Sequence, residues 1–257
     1  MPMSNTQTGA RVPDKRLPFR AVPLGKKSAC IEDLRQRILT QALQPGQYLD
    51  EVDVGSTYGI SRPPVREVLR QLAGEGYVVL HENRGAQVAP MTPKTMRNFF
   101  ITAPMIYAAV ARLAAQNATV EQTGRLKQTQ ALFRKAIKGG DAKKRALLNE
   151  RFHAIMGEMT DNEYLIPSLR RLLIDHTRIG ITFYATRTAK MAQQHVTAAD
   201  QHDQFIAHIE TGEAEAAADL AVAHWELSRS QIESFVTPES IQVPLGAPPG
   251  NRHKGAS

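Results

Sequence analysis

Cysteine is almost missing from this 257-residue chain, where Cys30 stands alone. One thiol cannot close an intramolecular disulfide, which excludes a disulfide-stapled secreted scaffold and fits a reducing compartment. No apolar run approaches the roughly 18 residues that would span a bilayer. The amino terminus also lacks the apolar centre of a signal peptide. Acidic charge is in deficit: 32 Lys and Arg face 25 Asp and Glu, for a net +7 and a pI near 9.6. That surplus permits nucleic acid and acidic ligands as partners. Residues 1–27 hold Arg11, Lys15, Arg16, Arg20, Lys26 and Lys27 against Asp14 alone, so most of the excess sits there. The expectation is a soluble cytoplasmic protein, not in a membrane, and long enough for two modest domains.

The most informative stretch is Ser61-Arg62-Pro63-Pro64-Val65-Arg66-Glu67-Val68-Leu69-Arg70. Arg62, Arg66 and Arg70 recur every four residues, which places three guanidinium groups on one side of a helix. Val65, Val68, Leu69 and Leu72 supply an apolar stripe for the opposite side. Ser61 suits the N-cap, and proline in the first turn sacrifices no hydrogen bond. Such a helix packs with one face and presents arginine with the other.

Residues 1–27 show no periodicity and are expected to be a disordered basic arm. From Ser28, Ile31, Leu34, Ile38, Leu39 and Ala42 follow helical spacing until Pro45-Gly46. A short helix over 51–58 and a turn at Gly59-Ile60 lead into the arginine helix, an arrangement that reads as helix-turn-helix. Tyr77-Val78-Val79-Leu80 and Ala86-Gln87-Val88-Ala89 flank a polar turn and read as a hairpin wing. These residues resemble the GntR family of bacterial transcription regulators. The resemblance rests on Pro45-Gly46-x-x-Leu49-x-Glu51, on Gly59-Ile60-Ser61-Arg62-x-Pro64-Val65-Arg66-Glu67, on Glu75-Gly76 and on Asn83-Arg84-Gly85. It implies a winged helix-turn-helix domain over 28–90. Arg62 and Arg66 would contact an operator, with Ser61 and Arg70 beside them, and Asn83, Arg84 and Gly85 would enter the minor groove. One departure is Val52, where some members carry a DNA-contacting arginine.

Pro90-Met91-Thr92-Pro93 reads as the boundary to a second domain over 91–236. It is all-α, with helical segments over 93–116, 120–138, 142–159, 163–186, 198–211 and 214–235. Thr119-x-x-Gln122 and Thr197-x-x-Asp200 resemble capping boxes, and Gly139-Gly140 and Gly212 punctuate helix ends. Residues 237–257 are expected to be a disordered tail. The fold class is therefore mainly α, a winged helix-turn-helix domain followed by a six-helix bundle.

Three of eight histidines fall on or beside apolar stripes of different bundle helices. His153, with Asn149 one turn before it, flanks Leu148, Phe152, Ile155 and Met159. His202 leads Phe205, Ile206 and Ile209, and His224 lies among Ala217, Leu220 and Leu227. An imidazole turned inward needs a hydrogen bond or a ligand, and three that converge favour a divalent metal. His176, His195 and His208 lie off the stripes and are expected in solvent.

Asn149-x-x-Phe152-His153, Gln201-His202-x-x-Phe205 and His224 resemble the ligand-binding FCD domain of the FadR-type branch of that family, and six helices resemble its VanR-type subgroup. That resemblance implies a metal held by Asn149, His153, His202 and His224, zinc first, with nickel or manganese as alternatives. Asn149 stands where many relatives have Asp, so four neutral ligands would leave the site near +2 and suited to a small carboxylate metabolite. Relatives often carry Arg and Glu on the first bundle helix where this chain has Ala103 and Tyr107. Tyr107, Arg178 and Tyr184, with Thr182 and Arg187, are candidates to reach the effector.

The expected function is a non-enzymatic regulator that binds a pseudo-palindromic, double-stranded operator as a homodimer. Two other readings stay open. Three histidines on a metal also describe catalytic zinc, and hence a hydrolase fused to a DNA-binding module, although no His-Glu-x-x-His is present. An architectural DNA-binding protein with an inert bundle is the third.

Overall fold

The computed structural model describes residues 25–82, 85–185 and 188–236. Outside them lie residues 1–24 of the expected arm, the expected tail, and Asn83, Arg84 and Arg187. Helix α1 (Lys26–Leu39) buries Ile31, Leu34 and Ile38 at helical spacing. Pro45-Gly46 turns the chain into a short strand, β1 (Tyr48–Leu49). Helix α2 (Glu51–Tyr58) is capped by Asp50, whose carboxylate accepts from the Val52 and Asp53 amides. Gly59 ends α2 with φ +61, a left-handed turn suited to glycine. Helix α3 (Arg62–Glu75) then buries Val65, Val68, Leu69 and Leu72, the stripe read from the sequence. Ser61 takes the extended N-cap conformation, but its hydroxyl makes no capping bond.

The wing is β2 (Val78–His81) and β3 (Gly85–Val88), paired antiparallel with Val78 opposite Val88 and His81 opposite Gly85. β1 adds to the far side of β3, for a sheet of order β1-β3-β2. Gly85 has φ +72, and a Cβ there would stand 2.7 Å from the Leu49 carbonyl oxygen, so only glycine allows β1 this close. One core under the sheet joins Leu34, Ile38, Val65, Leu69, Val78 and Val88.

Helices α4 (Pro93–Asn117), α5 (Val120–Gly139), α6 (Ala142–Met159), α7 (Leu165–Tyr184), α8 (Ala189–Thr211) and α9 (Ala214–Val236) form the bundle. α4 lies along α9, and α6 between α5 and α7. Thr92 caps α4, and Thr119 with Gln122 forms a true capping box on α5. The expected box at Thr197 is not a cap, because α8 begins nine residues earlier, capped by Thr188. Thr197 sits inside it with its hydroxyl on the Gln193 carbonyl, and Asp200 pairs with Arg134 instead. α4 carries a run the sequence reading did not register: it is long and apolar enough to span a membrane by length and composition. Met96, Phe99, Ala103, Tyr107, Val110 and Ala114 spend that apolar character on the bundle core.

α7 touches both halves of the molecule. Arg178 is fully buried, with Nη1 donating 2.7 Å to the carbonyl of Ala89, just past the wing, and Nη2 donating to Asp175. Gln41, a non-glycine residue at φ +54, donates 2.6 Å to the Arg178 carbonyl. Arg171 lies against Gly76, where a Cβ would come within 2.4 Å of its Cδ.

Candidate functional site

Arg62, Arg66 and Arg70 project from the solvent side of α3, as the four-residue spacing predicts. With Asp50, Glu51, His81 and Gly85 they line a groove of about 570 Å³ between the start of α2, α3 and the wing. Arg66 is not idle there. Its Nε donates to Glu51 at 2.9 Å, an exposed pair that holds the guanidinium back across the groove. Such pairs contribute about 0–1 kcal/mol, so an incoming anion can take the arginine over. Asn83 and Arg84 lie outside the described residues, while Gly85 is committed to the approach of β1.

In the bundle, His153 on α6, His202 on α8 and His224 on α9 converge. One ring nitrogen from each lies within 4.8 Å of the others. The neighbours fix which nitrogen carries hydrogen. Gln130 Nε2 donates to the Ala199 carbonyl at 2.7 Å and to Asp203 at 2.9 Å, which leaves its Oε1 to accept from His202 Nδ1 at 3.2 Å. His202 Nε2 is then a bare acceptor, and it has no partner. Phe152 stacks on this ring at 3.9 Å between centroids and holds its plane. His224 Nδ1 lies 2.8 Å from Gln201 Oε1, which fixes that ring in the same way. His153 Nε2 is likewise buried without a partner.

Burial, with repulsion from the other rings, holds His153 and His202 well below the usual histidine range and lowers His224 to about 3. All three are therefore neutral at ordinary pH, the form that ligates a metal. Two buried imidazole nitrogens without a partner are costly by themselves. A divalent cation bound by three imidazoles removes that cost, so the residues present fit such a group.

Asn149 is buried one turn before His153, and its Oδ1 accepts from Tyr184 Oη at 3.0 Å. Tyr107 is bonded to His176 Nδ1 and faces the cluster. Arg178, expected to reach an effector, does not line either cavity beside the histidines; its cation is spent on Asp175 and Ala89. His176 and His195 are buried, not solvated. α7 is buried on nearly every side from Leu172 to Gly180, so a stripe drawn along one face of it missed His176. Burial lowers His176 to about 4. His195 bonds the Phe183 carbonyl at 2.7 Å, and His208 pairs with Glu213 near the surface. Gln130 was also missed, although it interrupts the stripe Leu126, Phe133 as the histidines interrupt theirs.

Residues 26–88 match the family described as bacterial regulatory proteins, gntR family, and residues 105–227 match the FCD domain. The chain carries a GntR-family DNA-binding domain followed by an FCD domain. Among similar proteins, an uncharacterized HTH-type transcriptional regulator of Bacillus subtilis, YdhC, is 24% identical over 75% of this chain and 84% of its own. The HTH-type transcriptional repressor RspR of Escherichia coli is 27% identical over 63% of this chain and 72% of its own. Of solved structures, E. coli McbR/YncC superposes with a TM-score of 0.70 at 15% identity, over 83% of this chain and all of that one. The regulator is thus a DNA-binding GntR/FCD transcription factor and not an enzyme, which removes the hydrolase reading.

Proposed function

We propose that this regulator binds a pseudo-palindromic operator as a homodimer in the cytoplasm and releases or tightens its grip when a small carboxylate binds at a metal among His153, His202 and His224. The observation that carries this reading is the pair of buried, unpartnered nitrogens, His153 Nε2 and His202 Nε2, facing a third histidine across the bundle. Asn149 completes the neutral ligand set, with zinc first and nickel or manganese as alternatives. The metal would supply a net positive charge for an anion, and Gln130 and Gln201 hold two of the rings ready for it.

The DNA half of the reading follows from size. One recognition helix covers a half-site, so two are needed for a specific operator. Arg62 and Arg66, near the start of α3, would meet guanine edges or phosphate, with Arg70 a turn further along. Ser61 opens that helix, and the wing turn of Asn83, Arg84 and Gly85 would follow the minor groove.

α7 supplies the connection. It presents His176, Gly180 and Tyr184 to the cavities and Arg178 to Ala89 beside the wing. A ligand that moves α7 therefore also moves the point on which the winged unit rests. The test measures DNA affinity of the full-length protein with and without zinc and carboxylate, alongside metal content of wild type and His202→Ala. Equal metal content in the two proteins refutes the metal centre. Operator affinity that ignores both metal and carboxylates refutes regulation through the bundle and favours an architectural role.

A further inference from the structure

Two small cavities flank the histidines and share a wall made by His176, His224 and Ser228. One runs towards Tyr107, Val110, Met156, Phe205 and Trp225, the other towards Asn149, Phe183, Tyr184 and Leu227. Neither is lined by any Lys, Arg, Asp or Glu among the described residues. Three cations on the surrounding helices are engaged elsewhere. Arg145 donates to the Ala136, Ile137 and Tyr184 carbonyls, Arg134 is held by Asp200 and Asp203, and Arg178 faces the winged unit.

Polar partners are nearly as scarce. Tyr107 and His176 bond each other, Tyr184 bonds Asn149, and the Ser228 hydroxyl donates to the Trp225 carbonyl at 3.0 Å. Trp225 Nε1 is a buried donor without a partner, and among the described residues only the Asn149 amide NH2 and His176 Nε2 add to it.

From this lining we infer that the effector is a monocarboxylate with an apolar body, carrying few hydrogen-bonding groups besides its carboxylate. The inference rests on the metal-anchored carboxylate reading given above and adds which carboxylates the site accepts. One anionic group can be neutralised by the metal. A second carboxylate beyond reach of the metal would be stripped of water with no cation among the described residues to meet it, at a cost that exceeds tenfold in affinity. A polyhydroxy acid would leave most of its hydroxyl groups unpaired in the same way. Trp225 Nε1 can serve one acceptor, and Val110, Met156, Phe205 and Leu227 cover the remainder.

Each cavity is about 10 Å³, room for one water-sized body. A ligand of this class must therefore part the shared wall, which α7 supplies through His176 and α9 through His224 and Ser228.

Trp225 is the only tryptophan in the chain, so its emission reports this cavity alone. Zinc-loaded full-length protein is titrated with phenylacetate, hexanoate, glutarate, citrate and gluconate, followed by Trp225 fluorescence and calorimetry. Phenylacetate and hexanoate are expected to bind at least tenfold tighter than the other three acids. Glutarate, citrate or gluconate binding as tightly overturns the inference and leaves the metal–carboxylate reading standing. Failure of all five acids to bind overturns both. Ser228→Lys places a cation in the shared wall and is expected to tighten glutarate at least tenfold relative to hexanoate. An unchanged ratio of glutarate to hexanoate affinity in that variant also overturns the inference.

Discussion

Arg178→Met keeps most of the side-chain length and apolar stem but removes the cation that α7 holds beneath the wing. Two losses follow at once. The carbonyl of Ala89 loses a donor at 2.7 Å, and Asp175, whose side chain is only 5% exposed, loses its buried partner. Breaking a buried ion pair from one side costs about 3–5 kcal/mol, because the surviving charge stays desolvated. Here Asp175 retains Arg171 at 3.0 Å, a half-exposed cation, so the low end applies, about 3 kcal/mol. At a urea slope of about 2–3 kcal/mol/M, that loss lowers the midpoint by roughly 1 M. Urea titration followed by Trp225 emission and far-ultraviolet circular dichroism measures it. Adding Asp175→Asn removes the stranded charge and should recover at least about 1 kcal/mol, a coupling readable from the double-mutant cycle. Zinc binding should persist in the single variant while the zinc- and carboxylate-dependent change in operator affinity is lost. A midpoint shift below roughly 0.3 M, or a variant that still transmits the ligand signal in full, would refute the role given to Arg178.

Gln130→Leu keeps α5 packed but frees the His202 ring, and should weaken zinc binding about 10–100-fold as measured by competition with a chelator; unchanged affinity would mean that ring orientation is set by Phe152 alone. Arg62→Ala and Arg66→Ala should each cost about 1–3 kcal/mol in specific operator binding, with Arg70→Ala costing less. Gel-shift titration at fixed salt checks the order, and equal losses for all three arginines would indicate phosphate contacts throughout. Gly85→Ala should destabilise the fold by about 1–3 kcal/mol, since both its φ and the Leu49 carbonyl oppose a Cβ. A thermal midpoint equal to wild type would show that β1 can withdraw without penalty.

Much of this molecule was written in short-range pattern. Helix α3 could be read from arginines four apart and valines and leucines between them, since a helix repeats every 3.6 residues whatever it packs against. The same local rule found α2, both strands of the wing and all six bundle helices. It failed where chemistry was local but context was not. Thr197 has the spacing of a cap, yet α8 runs through it because Thr188 offers an earlier start and Met191, His195 and Ala198 have a core to enter. β1, at two residues, is too short to show alternation and exists only because Gly85 lets it approach.

By itself the sequence determined a helix presenting three arginines, a wing behind it, and inward-facing histidines on three separate helices, because each depends on spacing within one element. Only the tertiary structure decided what those elements meet. It brought His153, His202 and His224 together across gaps of 49 and 22 residues and buried His176 beside them. It also turned Arg178 away from the cavity towards Ala89. No periodicity encodes these choices, since each is set by the packing of one helix against others distant in the chain, where burial makes an unpaired nitrogen or charge too costly to leave alone.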